Sequence, residues 1–212
     1  MGRERDRDRA SRLVPGVYFV TPDGADEALV LAAMRGGAAM IQLRDKRATD
    51  AELTARARRL LPALRAAGLP LIINDRLEVA LAAGADGLHI GQGDGDPAEA
   101  LAALAPGQML GLSVEALAHL SAMPAGVDHI GAGPVRSTAT KPDHAPPIGF
   151  DGLAEITRAA PVPTVAIGGL KEADVVAARM AGCAGIAVVS AISEDHDPEG
   201  ATRALVRAWR QG

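Results

Sequence analysis

The chain has 212 residues, 48% of them hydrophobic and 23% charged, a composition that suits one folded domain with a large core. Its 22 Lys and Arg against 26 Asp and Glu give a net charge of −4, with Tyr18, Phe19, Phe150 and Trp209 as the aromatic residues. There is neither the basic surplus that grips a phosphate backbone nor a platform for stacking bases, so no nucleic-acid partner is expected.

Met1–Arg12 mixes charges of both signs without an apolar period and reads as a solvated tail over residues 1–12, ahead of a single domain over residues 13–212. It lacks the apolar segment of a secretory signal, and no later stretch reaches the ~18 apolar residues that span a bilayer. The expectation is a cytoplasmic protein with no membrane partner; a homo-oligomer is left open.

From Val14 onward, short apolar runs alternate with Ala- and Leu-rich segments of helical period. The predicted strands are Val17–Val20, Met40–Leu43, Leu71–Ile73, Gly87–Ile90, Met109–Leu112, His129–Gly131, Thr164–Ile167 and Gly185–Val189. Each is continuously apolar, as expected of parallel strands covered on both faces. The predicted helices begin near Ala25, Asp50, Arg76, Pro97, Val114, Phe150, Lys171 and Glu199. Eight such units in about 200 residues predict an α/β fold, a single (β/α)8 TIM barrel. The rival, an open doubly wound sheet, is weakened by even spacing and by the missing G-x-G-x-x-G turn after the first strand.

In such a barrel the working groups stand at the strand C-termini, where the loops share one mouth. Four of these ends are densely polar: Gln42-Leu43-Arg44-Asp45-Lys46, Asn74-Asp75-Arg76, Gly91-Gln92-Gly93-Asp94 and Gly111-Leu112-Ser113. Arg44 and Lys46 suit phosphate oxygens, one as a fork of donors and one as a point charge, unless both are simply solvated loop cations. Asp75 and Asp94 suit a hard cation such as Mg²⁺, which takes one or two carboxylates plus substrate phosphates, or else they cap helices. Asp45, between two cations, reads as a spacer that holds them apart.

The longest loop, Gly131 to Gly149, carries hydroxyls and Lys141, which offer donors to an anion or belong to a lid without chemistry. Ile167-Gly168-Gly169 and Val189-Ser190-Ala191 end the last two strands, where barrels frequently bind phosphate through backbone N–H groups. Cys183 has no His near it in sequence and reads as a small core residue, and His89 as a satisfied packing histidine. No Cys or His cluster has the spacing of a zinc site.

The motifs IQLRDK, IINDR, GADGLHIGQGD, GLS, GAGPVRSTATKPD and VAIGG followed by AVVSAI resemble the thiamine-phosphate synthase family, also called thiamine-phosphate pyrophosphorylase, in order from about Val17 to Ile192. The resemblance implies a (β/α)8 transferase that joins hydroxymethylpyrimidine diphosphate to hydroxyethylthiazole phosphate, giving thiamine phosphate and diphosphate with Mg²⁺. It assigns Gln42, Arg44, Lys46 and Asn74 to the pyrimidine diphosphate, with Ser113 and Lys141 completing that site and Asp75 and Asp94 as Mg²⁺ ligands. Thr138, Thr140, Gly169, Val189 and Ser190 match the positions that hold the thiazole phosphate. Arg44, Lys46, Ser113 and Lys141 are the expected catalytic group. The chain departs from the family where Glu is common and Asp45 stands, and where Asp is frequent and Pro22 stands; Arg136 and Ser137 fall at variable positions.

Three other readings compete. Thiazole tautomerases look similar in fold but lack the full set of cations, Asn-Asp and Gly-Gln-x-Asp that this chain keeps. A sensor of a phosphorylated thiazole would use the phosphate half of the site without needing the diphosphate and metal half. A barrel acting on phosphorylated sugars would require a positioned base or a Schiff-base lysine in an apolar pocket.

Overall fold

A computed structural model describes residues 15–138 and 145–211. The expected tail over residues 1–12, together with Thr140 and Lys141, lies outside the described residues.

Eight parallel strands form a closed barrel in chain order: β1 (Gly16–Val20), β2 (Met40–Leu43), β3 (Leu71–Asn74), β4 (Gly87–Ile90), β5 (Met109–Val114), β6 (His129–Ala132), β7 (Thr164–Ile167) and β8 (Gly185–Val188). Closure comes from β1 against β8, with Tyr18 opposite Ala187 and Phe19 opposite Val188. The helices are α1 (Glu27–Arg35), α2 (Asp50–Ala66), α3 (Leu77–Ala83), α4 (Pro97–Ala103), α5 (Ala118–Ser121), α6 (Gly149–Ala159), α7 (Val175–Met180), α8 (Ser190–Ser193) and α9 (Pro198–Gln211).

Every predicted strand is present, and three details differ. The helix expected near Val114 is displaced, because β5 continues through Val114 and α5 is a single turn from Ala118. The helix expected from Lys171 opens as a 3-10 turn, Glu172–Asp174, before α7. The eighth strand stops at Val188, and Val189 instead precedes the short helix α8, which the sequence pattern does not reveal. A four-residue helix has no room for a hydrophobic period.

Side chains alternate along each strand between two cores. Val17, Phe19, Ile41, Leu43, Leu71, Ile73, Leu110, Leu112, Ile186 and Val188 point outward and pack with the helices in one continuous cluster. Tyr18, Val20, Met40, Ile72, Met109, Val165 and Ala187 point inward and fill the lumen. Because the side-chain period is two, Gln42, Asn74, His89, Ser113 and His129 also fall on the lumen side. Cys183 is buried in the outer core, where burial raises its thiol pKa, and its Sγ lies 3.6 Å from Thr157 Oγ1.

Candidate active site

The loop after β2 is folded by its own acid. Asp45, 5% exposed, accepts N–H bonds from Gly24, Arg47 and Ala48 and a bond from Arg56 at 3.1 Å. Burial pushes its carboxyl up, but these donors outweigh it and hold it below the usual carboxylate range. It therefore does not separate the flanking cations as expected. Its contacts are with the loop backbone and α2, so it acts as the brace that aims Arg44 and Lys46 into the mouth.

Those two cations meet other carboxylates. Arg44 Nη1 lies 2.9 Å from Asp23 Oδ1, and Lys46 Nζ contacts Asp75 Oδ2. The Arg44 backbone is pinned to the end of β1 by reciprocal bonds with Thr21, which donates from Oγ1 to Arg44 O at 2.8 Å and accepts from Arg44 N at 2.9 Å. Deeper in the lumen, Gln42 Nε2 donates to Tyr18 Oη at 2.9 Å. Burial raises the Tyr18 phenol far above its ordinary value despite that bond.

Asp75 has φ +52°, a left-handed conformation that asparagine and aspartate tolerate better than most residues. Its N–H donates to His89 O at 2.8 Å, which ties the end of β3 to β4. The helix-cap alternative fails for both acids. Arg76 occupies the N-cap of α3 and makes no side-chain cap bond, while Asp96 caps α4 through the N–H of Ala98. Asp94 Oδ2 instead accepts from Gly91 N at 2.7 Å. Both carboxylates thus stand at the C-terminal rim, on the ends of adjacent strands.

At β5, Ser113 Oγ lies 3.0 Å from His89 Nε2, and Ser113 O accepts from Gln92 Nε2 at 2.5 Å. His89 is only half satisfied, because its Nδ1 has no partner among the described residues. Burial pushes its pKa down to about 4. Its neighbour His129 is pushed to about 3, first by burial and then by His89.

The base of the long loop is zipped to β7: Val135 N donates to Ile167 O at 2.8 Å and Arg136 N to Gly168 O at 3.0 Å. Arg136 braces it by pairing with Asp174 at 2.7 Å and lying over the ring of Phe150. Gly169, with φ +65°, passes so close that a Cβ there would stand 2.5 Å from Ser137 O. Thr138, Gly169, Val189 and Ser190 then share one cleft of about 400 Å³ with Arg44, Asp23 and Lys171. Lys171 was not among the expected site residues, since it reads as a helix start; its Nζ donates to Ser190 Oγ at 3.2 Å. Glu194 also lines this cleft, so its two acids are matched by Arg44 and Lys171, whereas an adjoining and larger depression of about 630 Å³ sets Glu172, Glu194, Asp195 and Asp197 against Lys171 alone and opposes an anion.

Among the described residues no group of three or more His, Cys, Asp or Glu could hold a metal by itself. Two oxygen-donor carboxylates at neighbouring strand ends, one of them already against an ammonium, still fit a hard cation that draws its other ligands from phosphate and water. No helix among the described residues is long and apolar enough to cross a membrane.

Relatives similar in sequence are thiamine-phosphate synthases, while the fold is shared more widely. A family model described as thiamine monophosphate synthase matches residues 17–192. The thiamine-phosphate synthase of Roseiflexus sp. (strain RS-1) is 46% identical over 198 residues, 90% of this chain and 84% of its own. That of Azorhizobium caulinodans is 48% identical over 174 residues, 82% of each chain. The solved thiamine phosphate pyrophosphorylase from Pyrococcus furiosus superimposes with a TM-score of 0.86 at 32% identity, covering 94% of this chain and 98% of that one. A solved 3-hexulose-6-phosphate synthase, at 20% identity and a TM-score of 0.65, shares the fold alone.

Proposed function

The chain belongs to the thiamine monophosphate synthase family, and from that premise we propose that it is a transferase joining hydroxymethylpyrimidine diphosphate to hydroxyethylthiazole phosphate. The products are thiamine phosphate and diphosphate. The observation that carries this reading is the division of one rim into two adjoining parts. Arg44, Thr138, Gly169, Lys171, Val189 and Ser190 gather at one cleft, whose two cations and hydroxyls suit an anion although Asp23 and Glu194 also line it. Lys46, Asp75, Asp94 and Ser113 stand at the neighbouring ends of β2 to β5.

In the reaction the bond between the methylene carbon of the pyrimidine and the diphosphate oxygen breaks, and its electron pair leaves with the diphosphate. The aminopyrimidine ring shares the positive charge left on that carbon, and the thiazole nitrogen then supplies the pair for the new carbon–nitrogen bond. No protein nucleophile is required. Arg44 and Lys46 stabilise the charge that grows on the leaving diphosphate, and Ser113 donates to it. Asp75 and Asp94 would hold Mg²⁺, which supplies further neutralisation of the diphosphate oxygens. Gln42 and Asn74 orient the pyrimidine from the lumen. Thr138, the N–H groups near Gly169 and Ser190, and Lys171 hold the thiazole phosphate. Thr140 and Lys141 extend the two anion sites in the family resemblance. Holding both substrates in one mouth removes much of the entropic barrier to their encounter.

The test is mass-spectrometric detection of thiamine phosphate from the two precursors, with diphosphate release measured alongside. Release that needs both precursors and a divalent cation supports the synthase. Binding of the phosphorylated thiazole without any release would return the reading to a sensor.

A further inference from the structure

Two imidazoles stand inside the barrel just below the rim, and the reaction outlined above uses neither. His89 is 7% exposed and His129 fully buried, with ring centroids 5.8 Å apart. Tyr18 meets His129 edge-on at 6.0 Å. Among the described residues no carboxylate bonds to either ring, so each is a neutral imidazole with one donor and one acceptor nitrogen. The lumen makes room for them at Gly111: a Cβ there would stand 2.4 Å from His89 Nδ1 and 2.5 Å from His129 Nε2. Those two nitrogens therefore flank one α-carbon, neither with a hydrogen-bond partner among the described residues, while His89 Nε2 reaches Ser113 Oγ at 3.0 Å.

We propose that His89 is a positioning residue for Ser113: its Nε2–H donates to Ser113 Oγ, so the proton of the serine hydroxyl is left to point at an anion on the rim. This inference rests on the reading that Ser113 belongs to the diphosphate site.

The choice of tautomer follows from what each would leave unpaired. With the proton on Nδ1, His89 would turn it toward His129 Nε2 and so force the His129 N–H onto Nδ1, which has no partner among the described residues, and Ser113 would have to spend its only proton on Nε2. With the proton on Nε2, the bare Nδ1 faces His129 Nε2, and an under-used acceptor is tolerated better than an orphaned N–H. A proton on His129 Nε2 then sets donor against acceptor around Gly111. Ser113 is fixed at both ends, by His89 at its hydroxyl and by Gln92 at its carbonyl. A hydroxyl held as an acceptor from below is oriented before the anion arrives, which is the arrangement that strengthens an electrostatic site.

The experiment has two arms. In the unaltered protein, nitrogen-15 NMR of the imidazoles is expected to show His89 protonated on Nε2 and bare on Nδ1; the opposite tautomer overturns the proposal. In the second arm, binding of inorganic diphosphate with Mg²⁺ is measured by calorimetry for Ser113→Ala, His89→Leu, His89→Gln and the double variant Ser113→Ala/His89→Leu. His89→Leu is expected to weaken binding about tenfold, the scale of one hydrogen bond to a charged group. His89→Gln restores it, because the glutamine Nε2–H stands where the imidazole donor stood. The double variant binds no worse than Ser113→Ala, as expected when one residue acts through the other. Weakening by Ser113→Ala with none by His89→Leu overturns the positioning role and leaves the site reading intact. Unchanged binding by Ser113→Ala removes Ser113 from the diphosphate site and overturns both. The NMR arm needs no variant and decides the proposal even if His89→Leu fails to fold.

Discussion

Lys46 and Asp75 hold one another on neighbouring strand ends at the mouth of the barrel, the ammonium after β2 lying against the carboxylate that ends β3. A cation assigned to the leaving group and a carboxylate assigned to the metal are thus each other's partners before any ligand enters. Lys46→Met should free Asp75 Oδ2, leaving Arg76 Nε at 3.8 Å from Oδ1, and tighten binding of Mn²⁺, used as a probe without substrate, by a few-fold. The same variant should lower kcat/KM about 100-fold, the usual scale for removing one preorganised charge-stabilising group. A Mn²⁺ titration beside steady-state kinetics checks both; weaker metal binding in the variant would contradict the competition.

Lys171 reaches Ser190 from the start of the 3-10 turn, on the thiazole-phosphate side of the cleft. Lys171→Ala should raise KM for the phosphorylated thiazole about tenfold, the effect of losing one charge-assisted contact, and change KM for the pyrimidine diphosphate little. Equal effects on both substrates would show that Lys171 does not distinguish the two halves of the rim.

Two glycines with nearly the same positive φ separate conformation from space. Gly84 at the end of α3 has φ +66°, and a Cβ there would meet nothing within 4 Å, whereas Gly169 has φ +65° and its Cβ would stand 2.5 Å from the Ser137 carbonyl oxygen. Gly84→Ala should cost about 1 kcal/mol of stability, the left-handed penalty alone, and leave activity unchanged. Gly169→Ala should cost about 1–3 kcal/mol more through overpacking and also raise KM for the phosphorylated thiazole. Urea unfolding and initial rates measure the two effects; equal losses of stability would show that the close approach at Gly169 is relieved.

His129 links the lumen to pH. Its pKa falls from an ordinary 6.5 to about 3 on folding, so the unfolded chain takes up a proton that the native lumen refuses. Its neutral state sets no penalty above pH 6.5, and stability is lost progressively as pH falls from there toward about 3. At pH 5 the loss from this residue alone is about 2 kcal/mol relative to pH 7.5. The brace formed by Asp45 weakens only in a lower window, since its carboxyl titrates below the usual carboxylate range. His129→Leu should flatten the dependence between pH 7.5 and 5 by that amount in urea unfolding, and an unchanged slope would point to other groups.

The order of strands and helices was legible because parallel strands covered on both faces must be apolar throughout, and helices on the outside must keep their period. The polar strand ends were legible for a related reason: Arg44, Asn74, Asp75 and Ser113 interrupt apolar runs where a buried backbone emerges at the mouth. The one-turn helix α8 escaped and the start of α5 was misplaced, since four residues cannot display a period.

By itself the sequence determined which groups reach the rim, because chain order and strand length place them there whatever their neighbours do. Only the tertiary structure decided their pairings: Lys46 with Asp75, Arg44 with Asp23, Asp45 with Arg56, Lys171 with Ser190. It also decided that His89 and His129 share the lumen. An uninterrupted apolar run does not say which of its two faces looks inward, and partners far apart in sequence meet only when barrel closure fixes the register between strands.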